Sequence, residues 1–342
     1  MSTAPGPAPR RGGRYLAAAL LGFFVIASAC SSGRDALTIY SGREEALVGP
    51  LLERFSEEKD IPIDIRYGDS ADLALLIEQE GDGTPADVFL SQSPGPVGFL
   101  SEEGFLRPLP EDTLSRIDPR FEQSSGEWVG LTARQRVLVY NEDLVDESEL
   151  PESVLELTDP SYEGLVGVAP SNGSFQDFVT AMRQLEGEEV AEEWLAGMAA
   201  NDSPTYPDNN AIVDAVSRGE IPLGLVNHYY NYRFLSEDAS LPSRNYQFPD
   251  GDIGSVLLAT TASVLSETER PEEAEAFVDF LVSDEAQEYF RSQTFEYPLA
   301  AGIEPSDAIP PLDSLSHPDY DIQSLGGGLR RTVELISESG LL

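Results

Sequence analysis

The sequence of 342 residues contains one cysteine, and its lysines are equally scarce, since Lys59 is the only one. The single cysteine, Cys30, lies beside an apolar leader, so the chain has neither a second thiol for a disulfide nor a cysteine cluster for a metal. The 21 basic side chains are outnumbered by 61 acidic ones, which gives a formal net charge of −40. Because such a surface repels nucleic acid and anionic lipid, neither is an expected partner.

The acidic excess has two interpretations. Disorder is one of them, but hydrophobic residues make up 41% of the chain, which is enough to build a core. We therefore interpret the carboxylate-rich, lysine-poor surface as an adaptation to high salt, where self-repulsion is screened. The length suffices for two ordinary domains.

Residues 1–30 are predicted to be a lipoprotein signal peptide rather than part of the fold. Three arginines precede the apolar run 15–27, which is too short to span a bilayer comfortably. Small residues place Cys30 at the cleavage point, in an arrangement that resembles a bacterial lipobox. We therefore predict an extracytoplasmic protein that lipidated Cys30 anchors to the cell membrane, exported by either the Sec or the twin-arginine route.

Strands and amphipathic helices alternate along the rest of the chain. The β-α-β order of residues 36–90 predicts parallel strands with helices on both faces. Further on, we predict an extended segment over 128–140, strands over 164–169, 221–226 and 255–259, and one long helix over 271–290. Residues 304–318, rich in proline, serine and acid, predict a loop.

The most informative segment is Asn-His-Tyr-Tyr at 227–230, directly after the apolar run 221–226. Tyr229 and Tyr230 can be ordinary strand-end aromatics with wet hydroxyls. Phenolate oxygen is also a hard ligand for a trivalent cation such as ferric iron, whose charge lowers the pKa of a bound phenol. Local sequence leaves both interpretations open.

An ordered series of motifs resembles one known family. The motifs are Tyr-Ser-Gly at 40–42, Thr-Pro-Ala-Asp-Val-Phe at 84–89, Arg-Gln-Arg-Val-Leu-Val-Tyr at 134–140, Asn-Gly-Ser-Phe at 172–175, Asn209, the tandem tyrosine, and Glu-Tyr-Pro-Leu at 296–299. In this order the chain resembles the bacterial ferric-binding proteins, the substrate-binding components of iron(III) ABC importers. The resemblance implies an α/β, two-lobed type II periplasmic-binding-protein fold, in which each lobe is a mixed, mainly parallel sheet flanked by helices. The ligand cleft lies between the lobes.

The resemblance also implies how the lobes divide and what they do. We expect residues 36–135 plus 260–303 in the first lobe, and residues 136–259 plus 304–342 in the second. The lobes close over the ligand about extended hinges near 136–140 and 255–260. The expected function is capture of Fe(3+) by a monomer and delivery to an ABC permease with its ATPase, without catalysis.

A set of site residues follows from the same resemblance. Tyr229 and Tyr230 are implied to bind ferric iron, with phosphate or carbonate as co-ligand. The implied anion-binding residues are polar side chains, namely Asn172, Ser174, Asn209 and Asn227. Either Arg134 or Arg136 adds charge there, the other being a surface or hinge arginine. Independently, Asn172 and Ser174 precede a helix whose N-terminal amides favour an anion, although either residue can simply cap that helix.

Two positions depart from the family pattern. Where some members place a histidine ligand, this chain has Glu44, which is either a hard iron ligand or an acid that complements a helix dipole. Where a glutamate is common, the chain has Gln92, which we expect to contact a bound water or the anion more than the metal. We expect His228 to face outward or to bond backbone, and Tyr232 and Arg233 to be candidates for the cleft wall.

Two alternative functions remain open from the sequence. The same class of binding protein could take another small ligand, such as an oxyanion, polyamine, thiamine or sugar, and Tyr229, Tyr230 and Tyr232 could enclose a cationic one. From a different class, a lipid-anchored extracellular hydrolase could use Glu44 and Glu45 as paired carboxylates. Such a pair requires opposed placement across a cleft.

Overall fold

The computed structural model describes residues 36–342, so the signal peptide and the lipidation predicted at Cys30 lie outside the described residues. The strands within this range are β1 (Leu37–Ser41), β2 (Ile63–Tyr67), β3 (Val88–Ser91), β4 (Leu106–Arg107), β5 (Trp128–Asn141), β6 (Val166–Gly167), β7 (Leu223–Asn227), β8 (Ser243–Tyr246), β9 (Leu257–Leu265) and β10 (Tyr297–Pro298). The helices are α1 (Glu45–Lys59), α2 (Ser70–Glu80), α3 (Pro94–Glu102), α4 (Glu111–Leu114), α5 (Gly173–Leu185), α6 (Glu188–Ala200), α7 (Asn209–Ser217), α8 (His228–Glu237), α9 (Pro271–Leu281), α10 (Asp284–Tyr289) and α11 (Leu329–Ser339).

The first three strands form the β-α-β units that the sequence predicts. β1 lies between β2 and β3 and is parallel to both. Helix α1 packs its apolar face, including Leu51 and Phe55, into the core, and burying each such side chain contributes about 1.5–3 kcal/mol. Because parallel strands end at the same edge of a sheet, the residues after β1 and β3 lie close together. Arg43, Glu44 and Gln92 follow these two strands.

β5 links two groups of strands. Its residues 128–135 pair antiparallel with β9, and its residues 136–141 pair antiparallel with β7 and β8. The strand order is β2-β1-β3-β9-β5-β7-β6, with β4 on β9 and with β8 and β10 on β5. The long extended segment predicted for residues 128–140 is confirmed, and every residue of β5 is buried.

The sheet is mixed, as predicted, but its parallel share is smaller than predicted. Among the described strands, parallel pairing joins β1 to β2 and β3, and joins β6 to β7. β5 and β9 run antiparallel to every strand they contact. β9 and β5 lie in the middle of the strand order and pair antiparallel with their neighbours. A parallel pair would require a crossover connection between the two strands. The description "mainly parallel" therefore applies to the outer strands alone.

The prediction of a single helix over 271–290 is wrong. Two helices, α9 and α10, occupy this range, because the Ser283 side chain caps the start of α10. A π-helical turn at Phe290–Thr294 follows, and Phe295 then adopts the left-handed conformation with φ 58°. This irregular turn directs Glu296 into the core, where it is fully buried.

The loop predicted for residues 304–318 is confirmed apart from one short 3-10 turn at Leu312–Ser314. Beyond it lies α11, which the sequence patterns did not predict. The Arg183 guanidinium fixes α11 against α5 by donating to the Gly328 carbonyl and the Thr332 hydroxyl, both at 2.9 Å. Across residues 36–342, no helix combines the length and apolar character needed to cross a membrane.

Candidate metal centre

Tyr229 and Tyr230 occupy the first turn of α8, directly after β7. Both side chains are fully buried, and their rings stack with centroids 4.2 Å apart and planes 28° apart. The Tyr230 hydroxyl donates to Glu44 Oε1 at 2.9 Å, whereas the Tyr229 hydroxyl has no hydrogen-bond partner among the described residues. Strand-end aromatics with wet hydroxyls do not fit this arrangement. A buried polar atom without a partner costs free energy that a bound cation can recover.

The surroundings of both phenols favour their protonated form. Burial raises the pKa of Tyr229, and Glu296 raises it further, while Arg43 and Arg134 oppose the shift. The pKa of Tyr230 rises well above its ordinary value, chiefly through burial and then through its neighbour Tyr229. A trivalent ion at these oxygens must therefore displace the phenol protons, so binding releases protons.

Glu44 lies beside the tyrosine pair although it is distant in sequence. Its Oε1 accepts from Tyr230, and its Oε2 accepts from Asn210 Nδ2 at 2.7 Å. Glu44 is also the N-cap residue of α1, so the position is compatible with both interpretations of this residue. Asn210 was not predicted as a site residue. Glu45 is exposed on α1, so the structure places the two carboxylates on adjacent residues and not across a cleft.

The four predicted anion-binding residues form one hydrogen-bonded network. Asn172 caps α5 by accepting from the Ser174 N–H at 3.1 Å, and it also accepts from the Ser174 hydroxyl at 2.6 Å. Asn227 Nδ2 donates to Ser174 Oγ at 3.1 Å, and the Asn227 N–H donates to Asn209 Oδ1 at 3.2 Å. Gln92 joins this network, because its Oε1 accepts from Asn172 Nδ2 at 3.4 Å. The network largely satisfies itself, although Asn209 Nδ2 has no partner among the described residues.

Arg134 and Arg136 lie two residues apart on β5 and are both buried, so neither is a surface arginine. Arg136 Nη1 donates to the Oδ1 atoms of Asn209 and Asn227 at 3.5 and 3.4 Å. Burial, followed by the charge of Arg134, lowers the pKa of Arg136 to about 9. Arg134 Nη1 donates to Thr260 Oγ1 at 3.1 Å, and its Nε and Nη2 are buried without a partner in the described part of the chain.

Arg43 and Glu296 lie near the tyrosine pair, although neither was assigned a role from the sequence. Arg43 Nη2 lies 2.7 Å from Glu296 Oε2, and both side chains are almost fully buried. The Arg43 guanidinium lies 5.8 Å from the ring centroid of Tyr229. Burial is the largest single influence and acts to lower the pKa of Arg43, but the charges of Glu296, Tyr229, Tyr230 and Glu44 together outweigh it, and the net shift is upward. The two residues are 253 positions apart, and no local pattern indicates such a pair.

His228 bonds backbone on both sides of its ring. Nδ1 accepts from the Gln135 N–H at 3.2 Å, and Nε2 donates to the Phe295 carbonyl at 3.1 Å. Burial lowers the pKa of His228 to about 4, so the ring is neutral at physiological pH. The expectation of backbone bonding is confirmed, and the outward orientation is wrong.

Residues 36–342 contain no cluster of three or more His, Cys, Asp or Glu that could hold a metal ion.

A cavity of about 360 Å³ adjoins Arg43 and Glu44, and neither Tyr229 nor Tyr230 lines it. Residues after β1 and β3 line one side of it, including Glu44 and Gln92, and Asn172 and Asp208 line the other. Of the two predicted cleft-wall residues, Tyr232 packs against His228 with ring centroids 6.1 Å apart, and Arg233 is half-buried on the same helix.

Comparisons with known proteins relate the whole chain to one family. Residues 83–323 match the model of the bacterial extracellular solute-binding proteins. The Fe(3+)-binding periplasmic protein of Serratia marcescens is 30% identical over 91% of this chain and 92% of its own length. The iron-bound structure of HitA from Pseudomonas aeruginosa is 35% identical, has a TM-score of 0.85, and covers 89% of this chain and 99% of its own. A Trichodesmium FutA structure in complex with iron and citrate is 26% identical, has a TM-score of 0.73, and covers 90% of this chain and 100% of its own.

These similarities confirm two expectations. The likeness to HitA confirms the two-lobed type II periplasmic-binding-protein fold, with its ligand cleft between the lobes. The curated relatives are binding proteins and not enzymes, which confirms that capture without catalysis is the appropriate class and excludes the hydrolase alternative.

Proposed function

Because the chain belongs to the bacterial extracellular solute-binding proteins, within their ferric-iron-binding group, we propose that it captures ferric iron outside the cytoplasm and delivers it to an ABC permease and its ATPase. One observation carries the proposal. Two fully buried phenols stack at the end of β7, and the hydroxyl of Tyr229 has no partner among the described residues. Phenolate oxygen is the kind of hard ligand that trivalent iron prefers.

The proposed iron ligands are Tyr229, Tyr230 and Glu44. The Glu44 Oε1 atom lies 2.9 Å from the Tyr230 oxygen, so a small movement lets both atoms bind one ion. Two phenolates and one carboxylate balance the charge of ferric iron. Gln92 bonds to Asn172 and is a weaker oxygen donor, so we assign it to a bound water or to the anion.

A carbonate or phosphate anion is proposed to complete the coordination, held mainly by Arg134. Its Nε and Nη2 lie on one edge of the guanidinium, and such an edge matches two oxygens of a planar or tetrahedral oxyanion. Both atoms are buried without a partner among the described residues, as is Nε of Arg43. Asn209 Nδ2 adds a further free donor, while the remaining amides order the site. The citrate in the Trichodesmium structure carries carboxylates that would fit the same edge.

The lobes are proposed to divide after residues 135 and 259 and to hinge about β5 and β9. The change of β5 partners between Gln135 and Arg136 supports this division. Side-chain contacts that bridge these lobes support a closed cleft. They include Tyr230 with Glu44, Asn172 with Gln92, and Asp177 with the Gly95 N–H.

We also propose that lipidation of Cys30 holds the protein at the outer face of the cell membrane as a monomer. The excess of acidic side chains in the sequence, 61 against 21 basic ones, supports adaptation to high salt. Mass spectrometry of the membrane-extracted protein tests the anchor, because diacylation adds a lipid mass that a Cys30→Ser variant cannot carry.

The iron proposal is tested by titrating the purified protein with ferric iron in the presence of bicarbonate. We expect a visible charge-transfer band that Tyr229→Phe and Tyr230→Phe each largely abolish. Tyr246→Phe is the matched control, since this half-buried phenol donates to the Pro151 carbonyl at 3.0 Å and should keep the band. A colourless wild type that iron does not stabilise against heat would contradict the proposal. Thermal shifts with polyamine, thiamine and sugar would then identify another ligand class.

A further inference from the structure

We propose that Glu296 is a positioning residue for the bound anion, because it orients Arg43 and Arg134 so that their free edges face the anion and Tyr229. The inference rests on the proposed anion site. Glu296 belongs to a sequence motif that the proposed function otherwise leaves without a role. The irregular turn before it places its carboxylate in the core.

Four polar side chains converge on the Glu296 carboxylate. Oε2 accepts from Arg43 Nη2 at 2.7 Å and lies 3.0 Å from Thr294 Oγ1, whose single proton also has the Phe290 carbonyl as an acceptor at 2.8 Å. Oε1 accepts from Thr132 Oγ1 at 2.9 Å and from Thr260 Oγ1 at 3.4 Å. Because these side chains surround both oxygens, Glu296 has little capacity to bind a ligand itself. Its contacts lead to the arginines instead.

Thr260 extends the reach of Glu296 to the second arginine. Its hydroxyl oxygen accepts from Arg43 Nη1 and from Arg134 Nη1, both at 3.1 Å. A hydroxyl has a single proton, and here Glu296 Oε1 receives it. Glu296 therefore fixes Arg43 directly and Arg134 through Thr260. The guanidinium atoms left without partners among the described residues are Nε of Arg43 and the Nε and Nη2 edge of Arg134.

The negative charge of Glu296 argues against a purely electrostatic role in anion binding. A buried carboxylate next to an anion site opposes anion binding, because like charges repel strongly away from water. Glu296 favours anion binding only if holding two buried guanidinium groups in one geometry outweighs that repulsion. Without a partner, a buried guanidinium group is costly in free energy and free to reorient.

Glu296→Gln separates the two roles, because they predict opposite changes in the affinity for the anion. The substitution removes one negative charge, so a charge-only role predicts tighter binding of bicarbonate or phosphate. A positioning role predicts weaker binding, by about tenfold or more, which corresponds to the loss of one charge-assisted hydrogen bond. Thr260→Val cuts the link to Arg134 without changing any charge, and we expect the same weakening.

Thr132→Val is the matched control. Thr132 also donates to Glu296 Oε1, but its hydroxyl bonds neither arginine in the described structure. We expect its anion affinity to stay within about twofold of the wild type. Thr260→Val and Thr132→Val each remove one donor to the same oxygen of Glu296. Only Thr260→Val also removes the link to the arginines, so a difference between the two variants reports that link.

The measurement is calorimetric titration of the iron-free protein with bicarbonate and with phosphate. Weakening in both Glu296→Gln and Thr260→Val supports the proposal; tighter binding in Glu296→Gln, or unchanged binding in Thr260→Val, overturns it. If Glu296→Gln does not fold, Thr260→Val decides alone. A wild type that binds iron but neither anion overturns this inference and leaves the iron proposal intact. A wild type that binds an anion but not iron, with weaker anion binding in both Glu296→Gln and Thr260→Val, supports this inference and contradicts the iron proposal.

Discussion

The hydroxyl of Tyr230 donates a 2.9 Å hydrogen bond to Oε1 of Glu44, a residue 186 positions earlier in the chain. The second oxygen of Glu44 accepts from Asn210 at 2.7 Å. One carboxylate therefore joins the segment after β1 to the first turns of α7 and α8. A residue in this position can bind a metal and hold the cleft closed, and substitution separates these roles.

Glu44→Gln is expected to weaken iron binding by about tenfold while the visible band persists. The amide oxygen still accepts from Tyr230, but it is a poorer ligand for a trivalent ion. Glu44→Ala removes both the ligand and the acceptor, so we expect iron to be released faster to a competing chelator as well. Stopped-flow absorbance measures both effects. Wild-type affinity in Glu44→Gln combined with fast release in Glu44→Ala would restrict Glu44 to bridging the cleft.

His228→Phe is expected to destabilise the protein but to keep the iron colour. The substitution leaves the Gln135 N–H and the Phe295 carbonyl without their ring partners, and each unsatisfied buried group costs about 1–3 kcal/mol. Urea denaturation measures the loss, and the visible spectrum of the folded variant reports iron binding. A folded variant without the band would instead make His228 a contributor to the metal centre.

The parts of the candidate site that the sequence indicated are those with a local signature. Tyr229 and Tyr230 are adjacent, and Asn172 precedes an amphipathic helix, so each stands out within a few residues. Arg43 and Glu296 do not, because their pairing depends on a contact across 253 positions. An isolated arginine in a sequence is indistinguishable from a surface residue until its partner is known.

The fold follows the same division between local and distant information. The extended segment predicted over 128–140 is confirmed as β5, but the burial of its polar residues Arg134, Gln135 and Arg136 has no local signal in the sequence. The break at Ser283 was missed, since the apolar spacing continues through α9 and α10 and a single serine ends the first helix. Strand direction around β9 depends on the chain path through both lobes, which periodicity does not encode.

Gly95→Ala is expected to destabilise the protein by about 1–3 kcal/mol, despite the better helix propensity of alanine. A methyl group on the Gly95 Cα would lie 2.2 Å from Asp177 Oδ1, so the contact between α3 and α5 must shift. Gly83→Ala is the control, since a methyl group there meets nothing within 4 Å. Urea denaturation of the two variants measures the difference. Equal stabilities would mean that α3 and α5 separate at little cost.

Potassium chloride is expected to raise the melting temperature. The formal net charge of −40 makes self-repulsion large, and raising the salt from about 0.1 M to about 1 M shortens the screening length from about 10 Å to about 3 Å. Differential scanning calorimetry across this range measures the shift. Chloride is the appropriate anion, because sulfate stabilises most proteins through exclusion from their surface. A melting temperature that is flat or falls with salt would contradict adaptation to high salt.

Asp177 should make the stability depend on pH in a predictable direction. Burial raises its pKa to about 6, although the Gly95 N–H and the charge of Arg134 oppose the shift. The pKa in the folded state thus exceeds that in the unfolded chain, near 3.8. The folded protein binds more protons between these values, so the contribution of Asp177 to stability is complete below about pH 4 and is lost as the pH rises through about 6.

Asp177→Asn retains an oxygen that can accept from Gly95 but removes the ionisation. Its free energy of unfolding relative to the wild type should therefore increase between about pH 4 and pH 7, by an amount on the order of 2 kcal/mol. Titrations common to both proteins, including that of His228, cancel in this difference. Urea denaturation of both proteins at several pH values measures it. A constant difference across this range would mean that Asp177 ionises in the folded protein as readily as in the unfolded chain, and that its burial is relieved by movement of α5 away from α3.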